Sequence, residues 1–152
     1  MFLGESDSIY IYKTYIKIRI FLFFYRDNIL RYITLIDFGL SRILGENELI
    51  ENEPFGTLGY AAPEILMGDR YGFSVDLFSI GVMMYYLLYK ALPFDGENDD
   101  VIYKNTIEYK VNWFCKGGKV QDFLEMLMNR SNRKRGKIDE LLSHQWINNK
   151  IV

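Results

Sequence analysis

A chain of 152 residues has room for one domain with a hydrophobic core of its own. At 49% apolar and 25% charged residues the composition is that of a folded protein and argues against disorder. A net charge of −2 makes nucleic acid or an anionic membrane a poor default partner. The lone Cys115 and lone His144 exclude an intrachain disulfide framework and argue against a His/Cys zinc cluster.

In chain order, Met1–Tyr25 is dominated by Ile, Tyr, Phe and Lys, types that favour strand over helix. Lys13, Lys17 and Arg19 interrupt its apolar stretch, and the uncharged run Ile20–Tyr25 is too short for a bilayer span or a secretory signal. The expectation is therefore no membrane segment and a cytoplasmic, reducing setting. Residues 1–27 read as a divergent or spurious N-terminal segment, and residues 28–152 as the folded unit.

Ile29-Leu30 and Ile33–Ile36 are short apolar runs around Arg31-Tyr32, which predicts a short β hairpin before Asp37. A polar, acidic loop follows from Gly45 to Pro54. Pro63–Met67 reads as a one-turn helix, with Pro at a tolerated first-turn position and Gly68 as its stop. Val75–Tyr89 is the clearest helix. Leu77, Phe78, Ile80, Val82, Met83, Met84, Leu87 and Leu88 cover nearly every face, which predicts a buried central helix ended by Pro93. Three more helices are expected: Asp99 to about Asn105, Val120–Met128, and Ile138 to about Asn148. The second has an apolar stripe of Phe123, Leu124, Leu127 and Met128. The fold class expected is mainly α.

The motifs give this order a context. Leu35-Ile36-Asp37-Phe38-Gly39 and Gly56-Thr57-Leu58-Gly59-Tyr60-Ala61-Ala62-Pro63-Glu64 resemble the Asp-Phe-Gly and Ala-Pro-Glu borders of a protein kinase activation segment. Asp76-Leu77-Phe78-Ser79-Ile80-Gly81 resembles the D-x-W-S-x-G that opens the family's central helix, with Phe78 in place of Trp. Arg133-Lys134-Arg135 followed by Glu140-Leu141-Leu142-Ser143-His144-Gln145-Trp146-Ile147 resembles the closing motif of serine/threonine kinases related to the calcium/calmodulin-dependent group. The likeness runs from about Asn28 to Ile147. It implies the helical C-terminal lobe of a protein kinase, without a complete N-terminal lobe. The activity it implies is ATP- and Mg²⁺-dependent phosphorylation of Ser/Thr in a protein substrate.

The same resemblance assigns roles. Asp37 would hold Mg²⁺ against the nucleotide phosphates; a turn residue capping its own backbone is the structural alternative. Gly56 and Thr57 would belong to the P+1 loop that meets substrate, or Thr57 would only satisfy local backbone. Arg135 falls where the family's arginine pairs with the Ala-Pro-Glu carboxylate, so a buried Glu64–Arg135 pair is expected. Asp76 would accept from catalytic-loop amides, or else cap the helix start. The basic run Arg130–Lys137 reads as a solvated face with one structural arginine.

The catalytic loop departs from the family. Tyr25-Arg26-Asp27 offers Asp27 as a candidate base, but Tyr32 stands five residues on, where Asn is needed. Asn28-Ile29-Leu30 offers Asn28 as the second metal ligand, but Phe23 then stands where the base is needed. Gly4 is the sole glycine before Gly39, so no Gly-rich loop precedes it, and Lys17 is a chance-level match to the phosphate-clamping lysine. Three readings compete: a truncated or misassembled kinase gene, a pseudokinase-like protein-binding module or scaffold, and an active minimal kinase. The first is favoured, and phosphotransfer by this chain alone is not expected. Between Ser41 and Thr57 there is no Ser, Thr or Tyr to accept phosphate. Glu46, Glu48, Glu51 and Glu53 supply fixed charge there, either as a stand-in for phosphate or as a loop that contacts nothing.

Overall fold

A computed structural model of the chain describes residues 11–13, 21–26, 29–35, 41–45, 48–51, 56–114 and 117–148. Strand β1 (Ile11–Lys13) pairs antiparallel with β4 (Ser41–Ile43), Ile11 opposite Ile43. Strand β2 (Phe21–Arg26) pairs antiparallel with β3 (Ile29–Leu35), from Phe21 opposite Leu35 to Arg26 opposite Ile29. A bulge at Phe24/Tyr25 shifts that register, adding local twist.

The hairpin differs from the expected one. A single strand runs through Arg31-Tyr32, and its partner lies upstream in β2 rather than within 28–36. Residue type explains the unbroken strand, since Arg31 and Tyr32 carry no turn preference. The strand pairing thus crosses the boundary drawn at residue 28.

The other regular elements of the described chain are helices, beside one isolated bridge between Ile50 and Tyr71. Helix α1 (Pro63–Leu66) starts with Pro at its first turn, and Gly68 follows at φ 72°. Helix α2 (Ser74–Tyr89) buries Val75, Phe78, Val82 and Tyr85 and packs at Gly81 on α4 (Lys119–Met128), whose Phe123, Leu124, Leu127 and Met128 are all buried. Helix α3 (Asp99–Ile107) is capped by Asn98, whose side chain accepts from the Val101 N–H at 3.1 Å. Helices α1, α2 and α4, with Ala61, Ala62, Tyr71, Phe94 and Leu141, form one core cluster. No helix among the described residues is long and apolar enough to cross a membrane.

Three local expectations are corrected. Leu87 and Leu88, at 43% and 45% exposure, leave the last turn of α2 uncovered on one side. They share a helical face with Leu77, Ile80 and Met84, which are partly buried against the core. The helix stops at Lys90, in the left-handed region at φ 57°, three residues before Pro93. The single helix expected over 138–148 is two, α5 (Ile138–Ser143) and α6 (Gln145–Asn148). His144 between them is extended, and its Nδ1 accepts from the Trp146 N–H at 3.2 Å. With Lys137 unable to cap α5 by accepting, the Glu140 carboxylate reaches back to the Lys137 N–H at 2.9 Å.

Candidate functional site

The described site is a turn with its supports. The N–H groups of Tyr60 and Ala61 both donate to the Thr57 carbonyl, at 2.9 and 3.0 Å, closing the turn over Thr57–Tyr60. The Thr57 backbone carbonyl is the group that closes it. A Cβ on Gly56 would lie 2.6 Å from the Ala61 Cβ, so only glycine lets the incoming chain lie this close to the start of α1. The Ser79 hydroxyl on α2 donates to the Tyr60 carbonyl at 3.0 Å, tying the turn to the core helix. Burial, and then the neighbouring Tyr86, push the Tyr60 phenol above its usual range, so it is a neutral hydroxyl here.

Beyond the turn, Glu64 on α1 meets Arg135 from the loop before α5. Arg135 Nη1 donates to Glu64 Oε1 at 2.6 Å and Nη2 to Oε2 at 2.7 Å, a bidentate pair. Both residues are buried, at 5% and 6% exposure, so the carboxylate and guanidinium depend on each other for solvation. Two of the three remaining guanidinium N–H groups are used as well: Nη1 also donates to the Ser74 carbonyl at 2.9 Å, and Nε to the Asn129 carbonyl at 2.9 Å. The Arg135 Cζ sits 5.0 Å from the centre of the Phe78 ring, which stacks on Phe94 at 5.6 Å. One arginine therefore binds α1, the start of α2 and the end of α4 into one unit.

Asp76, on the first turn of α2, has the opposite fate. Its Oδ1 is buried and has no hydrogen-bond partner among the described residues. Desolvation pushes its carboxyl up to about 7 from an ordinary 3.8. Capping does not account for it either, because the start of α2 has no side-chain cap. The position calls for donors, and the described residues do not provide them.

Asp27, Asn28 and Asp37, the candidate base and metal ligands, lie outside the described residues. Among the described residues no group of three or more His, Cys, Asp or Glu side chains is placed to hold a metal ion. These parts of the chain therefore offer no metal seat of their own. The Ser79 link, and the carbonyls of Ser74 and Asn129 that complete the Arg135 shell, are supports that sequence reasoning did not find. Ser79 was signalled by its place one helical turn after Asp76; main-chain carbonyls leave no sequence signal.

The chain belongs to the protein kinase domain family, whose sequence pattern matches residues 19–147. The match begins upstream of β2, so it takes in the whole β2–β3 hairpin. Human serine/threonine-protein kinase D3 is 36% identical over 118 residues, 76% of this chain and 13% of that protein. Rat and mouse serine/threonine-protein kinase D2 are each 35% identical over the same length and shares. The chain thus spans 13% of the length of these relatives. Their serine/threonine kinase names agree with the family read from the motifs.

Proposed function

We propose that residues 28–152 form the C-terminal, substrate-docking lobe of a serine/threonine protein kinase domain, with α2 as its central helix. The observation that carries this reading is the way the Gly56–Tyr60 turn is held from two sides. Ser79 fixes its carbonyl end to α2, and the Glu64–Arg135 pair fixes the α1 helix that follows. A rigid, glycine-containing turn on such supports suits an extended Ser/Thr peptide laid across it. In the family, bound Mg-ATP supplies the phosphoryl group, and Asn28 and Asp37 are the residues that would hold the metal. This chain's own described contribution is to hold the peptide-facing turn in one shape.

Residues 1–152 by themselves transfer phosphate far below a kinase rate in this reading. Catalysis in this family is almost wholly positioning and charge stabilisation around the triphosphate. No Gly-rich loop or phosphate-clamping lysine is written in these residues, and groups that act as a unit are lost as a unit. The test is purified chain with Mg-ATP and a basic Ser/Thr peptide. Turnover approaching roughly 1 s⁻¹, the low end for kinases, would overturn the inactivity. Peptide binding without turnover is expected, weakened when Gly56→Val displaces Ala61. Binding that ignores Gly56→Val would remove the turn from the docking site.

A further inference from the structure

We propose that Glu48–Glu51 is a built-in strap, holding the acidic loop against the segment that leads into α2 without any phosphate. The inference rests on the turn reading above for its purpose, but its own geometry is independent of it. The Ile50 N–H donates to the Tyr71 carbonyl at 2.8 Å, and the Tyr71 N–H donates back at 3.1 Å. This is a closed antiparallel bridge between residues far apart in sequence. Tyr71 is 2% exposed, so the strap is tied to the core and not to a surface loop.

Neighbouring contacts extend the bridge in both directions. On one side, Glu51 Oε1 lies 2.5 Å from Arg70 Nε. Both side chains are half exposed or more, so this pair selects register more than it adds strength. On the other side, a Cβ on Gly72 would stand 3.1 Å from Leu49 Cδ2 and 3.6 Å from the Glu48 carbonyl. The strap lies on bare backbone there. At its start Glu48 folds back on Gly45: its N–H donates to the Gly45 carbonyl at 3.1 Å, and its Oε2 accepts from the Gly45 N–H at 2.8 Å.

The stretch between Ser41 and Thr57 has no hydroxyl to carry phosphate, so its order has to come from fixed contacts. Of the glutamates in it, Glu51 has a cationic partner and Glu48 serves its own turn; Glu46 and Glu53 lie outside the described residues. Residues 48–51 of the acidic loop are thus not a free solvated segment. They are pinned mainly by backbone, five residues ahead of the Gly56–Tyr60 turn.

Amide hydrogen exchange on the full, unmodified chain tests the strap. The Ile50 amide should exchange at least about tenfold more slowly than an unstructured amide. Gly72→Val should crowd Leu49 and raise exchange at residues 48–51, and at the Tyr60 and Ala61 amides, by about tenfold. The α4 amides serve as the folding control. If Gly72→Val also loses α4 protection, Arg70→Ala is the second variant, expected to raise exchange at residues 48–51 by about twofold at low salt. An Ile50 amide exchanging at the unstructured rate would overturn the strap, as would unchanged exchange at 48–51 in a folded Gly72→Val chain. Exchange that rises in Gly72→Val while peptide binding stays intact supports the strap and overturns the peptide-turn reading instead.

Discussion

Two carboxylates with covered oxygens, Glu64 on α1 and Asp76 on the first turn of α2, are treated in opposite ways. Glu64 faces a bidentate arginine that also donates to two backbone carbonyls, whereas the covered Oδ1 of Asp76 has no partner among the described residues. The contrast separates what the C-terminal helices complete among themselves from what they leave open. Glu64, Arg135, Ser74 and Asn129 all belong to the helical part, so their polar network closes within it. Asp76 sits in the same part, but no donor among the described residues reaches its Oδ1. In the family the catalytic loop supplies such donors, and here that loop is the part of the motif set that departs from the pattern.

Breaking the closed carboxylate should have the largest effect. Arg135→Ala strands Glu64 in a site that water does not reach and frees two backbone carbonyls, costing about 3–5 kcal/mol. Glu64→Gln, which strands the guanidinium, should fall in the same range. The double variant Glu64→Leu with Arg135→Met should recover most of that loss, since well-packed apolar residues can replace a buried pair. Urea unfolding of the four chains measures this. A single variant that loses less than about 1 kcal/mol would show that the pair is solvated after all.

The orphaned carboxylate should show itself in pH dependence. Folding raises the Asp76 carboxyl from 3.8 to about 7, so between those values the folded state binds the proton and the unfolded state has lost it. The stability this group contributes is full below about pH 3.8 and is lost as pH rises through about 7. From pH 5 to pH 8 the loss should be about 2–3 kcal/mol. Asp76→Asn should remove most of that slope and be the more stable chain at pH 8. Urea midpoints of both chains at pH 5, 6, 7 and 8 decide the matter. Equal slopes would mean that Asp76 has found donors in solution, and the two carboxylates would then no longer differ.

The paired carboxylate was legible in the sequence and the unpaired one only partly so. Two motifs fixed in register, Ala-Pro-Glu at one end and the Leu-Leu-x-His helix at the other, place Glu64 and Arg135 as partners although 71 residues separate them. The stripe of Phe123, Leu124, Leu127 and Met128 likewise named the buried face of α4 before any coordinates. The last turn of α2 could not be read this way. Its residues are apolar on every side, so no polar face marks where burial stops. The stop at Lys90 needs a left-handed residue, a conformation that lysine type does not announce. The Ile50–Tyr71 bridge is a single long-range pair and leaves no periodic trace. Of the candidate site, Gly56, Thr57, Glu64, Asp76 and Arg135 are on the described surface and core, while Asp27, Asn28 and Asp37 are not.

A neutral group completes the comparison, and its removal should have the smallest effect. Ser79 lies one helical turn after Asp76 and is 3% exposed, yet its hydroxyl has found a partner in the Tyr60 carbonyl. A neutral hydrogen bond of this kind contributes about 0.5–1.5 kcal/mol. Ser79→Ala should therefore cost about 1 kcal/mol, with no change in the pH slope that Asp76 sets. The loss should be local, because Thr57 still accepts from Tyr60 and Ala61 and the turn keeps its own hydrogen bonds. Faster exchange at those two amides, with α4 unchanged, is the expected signature. A loss as large as that of Arg135→Ala would mean that the turn, and not the ion pair, is what holds α1 to α2. Unchanged stability together with unchanged exchange would mean that the hydroxyl contributes nothing to the turn, leaving the Glu64–Arg135 pair as its one support from the core.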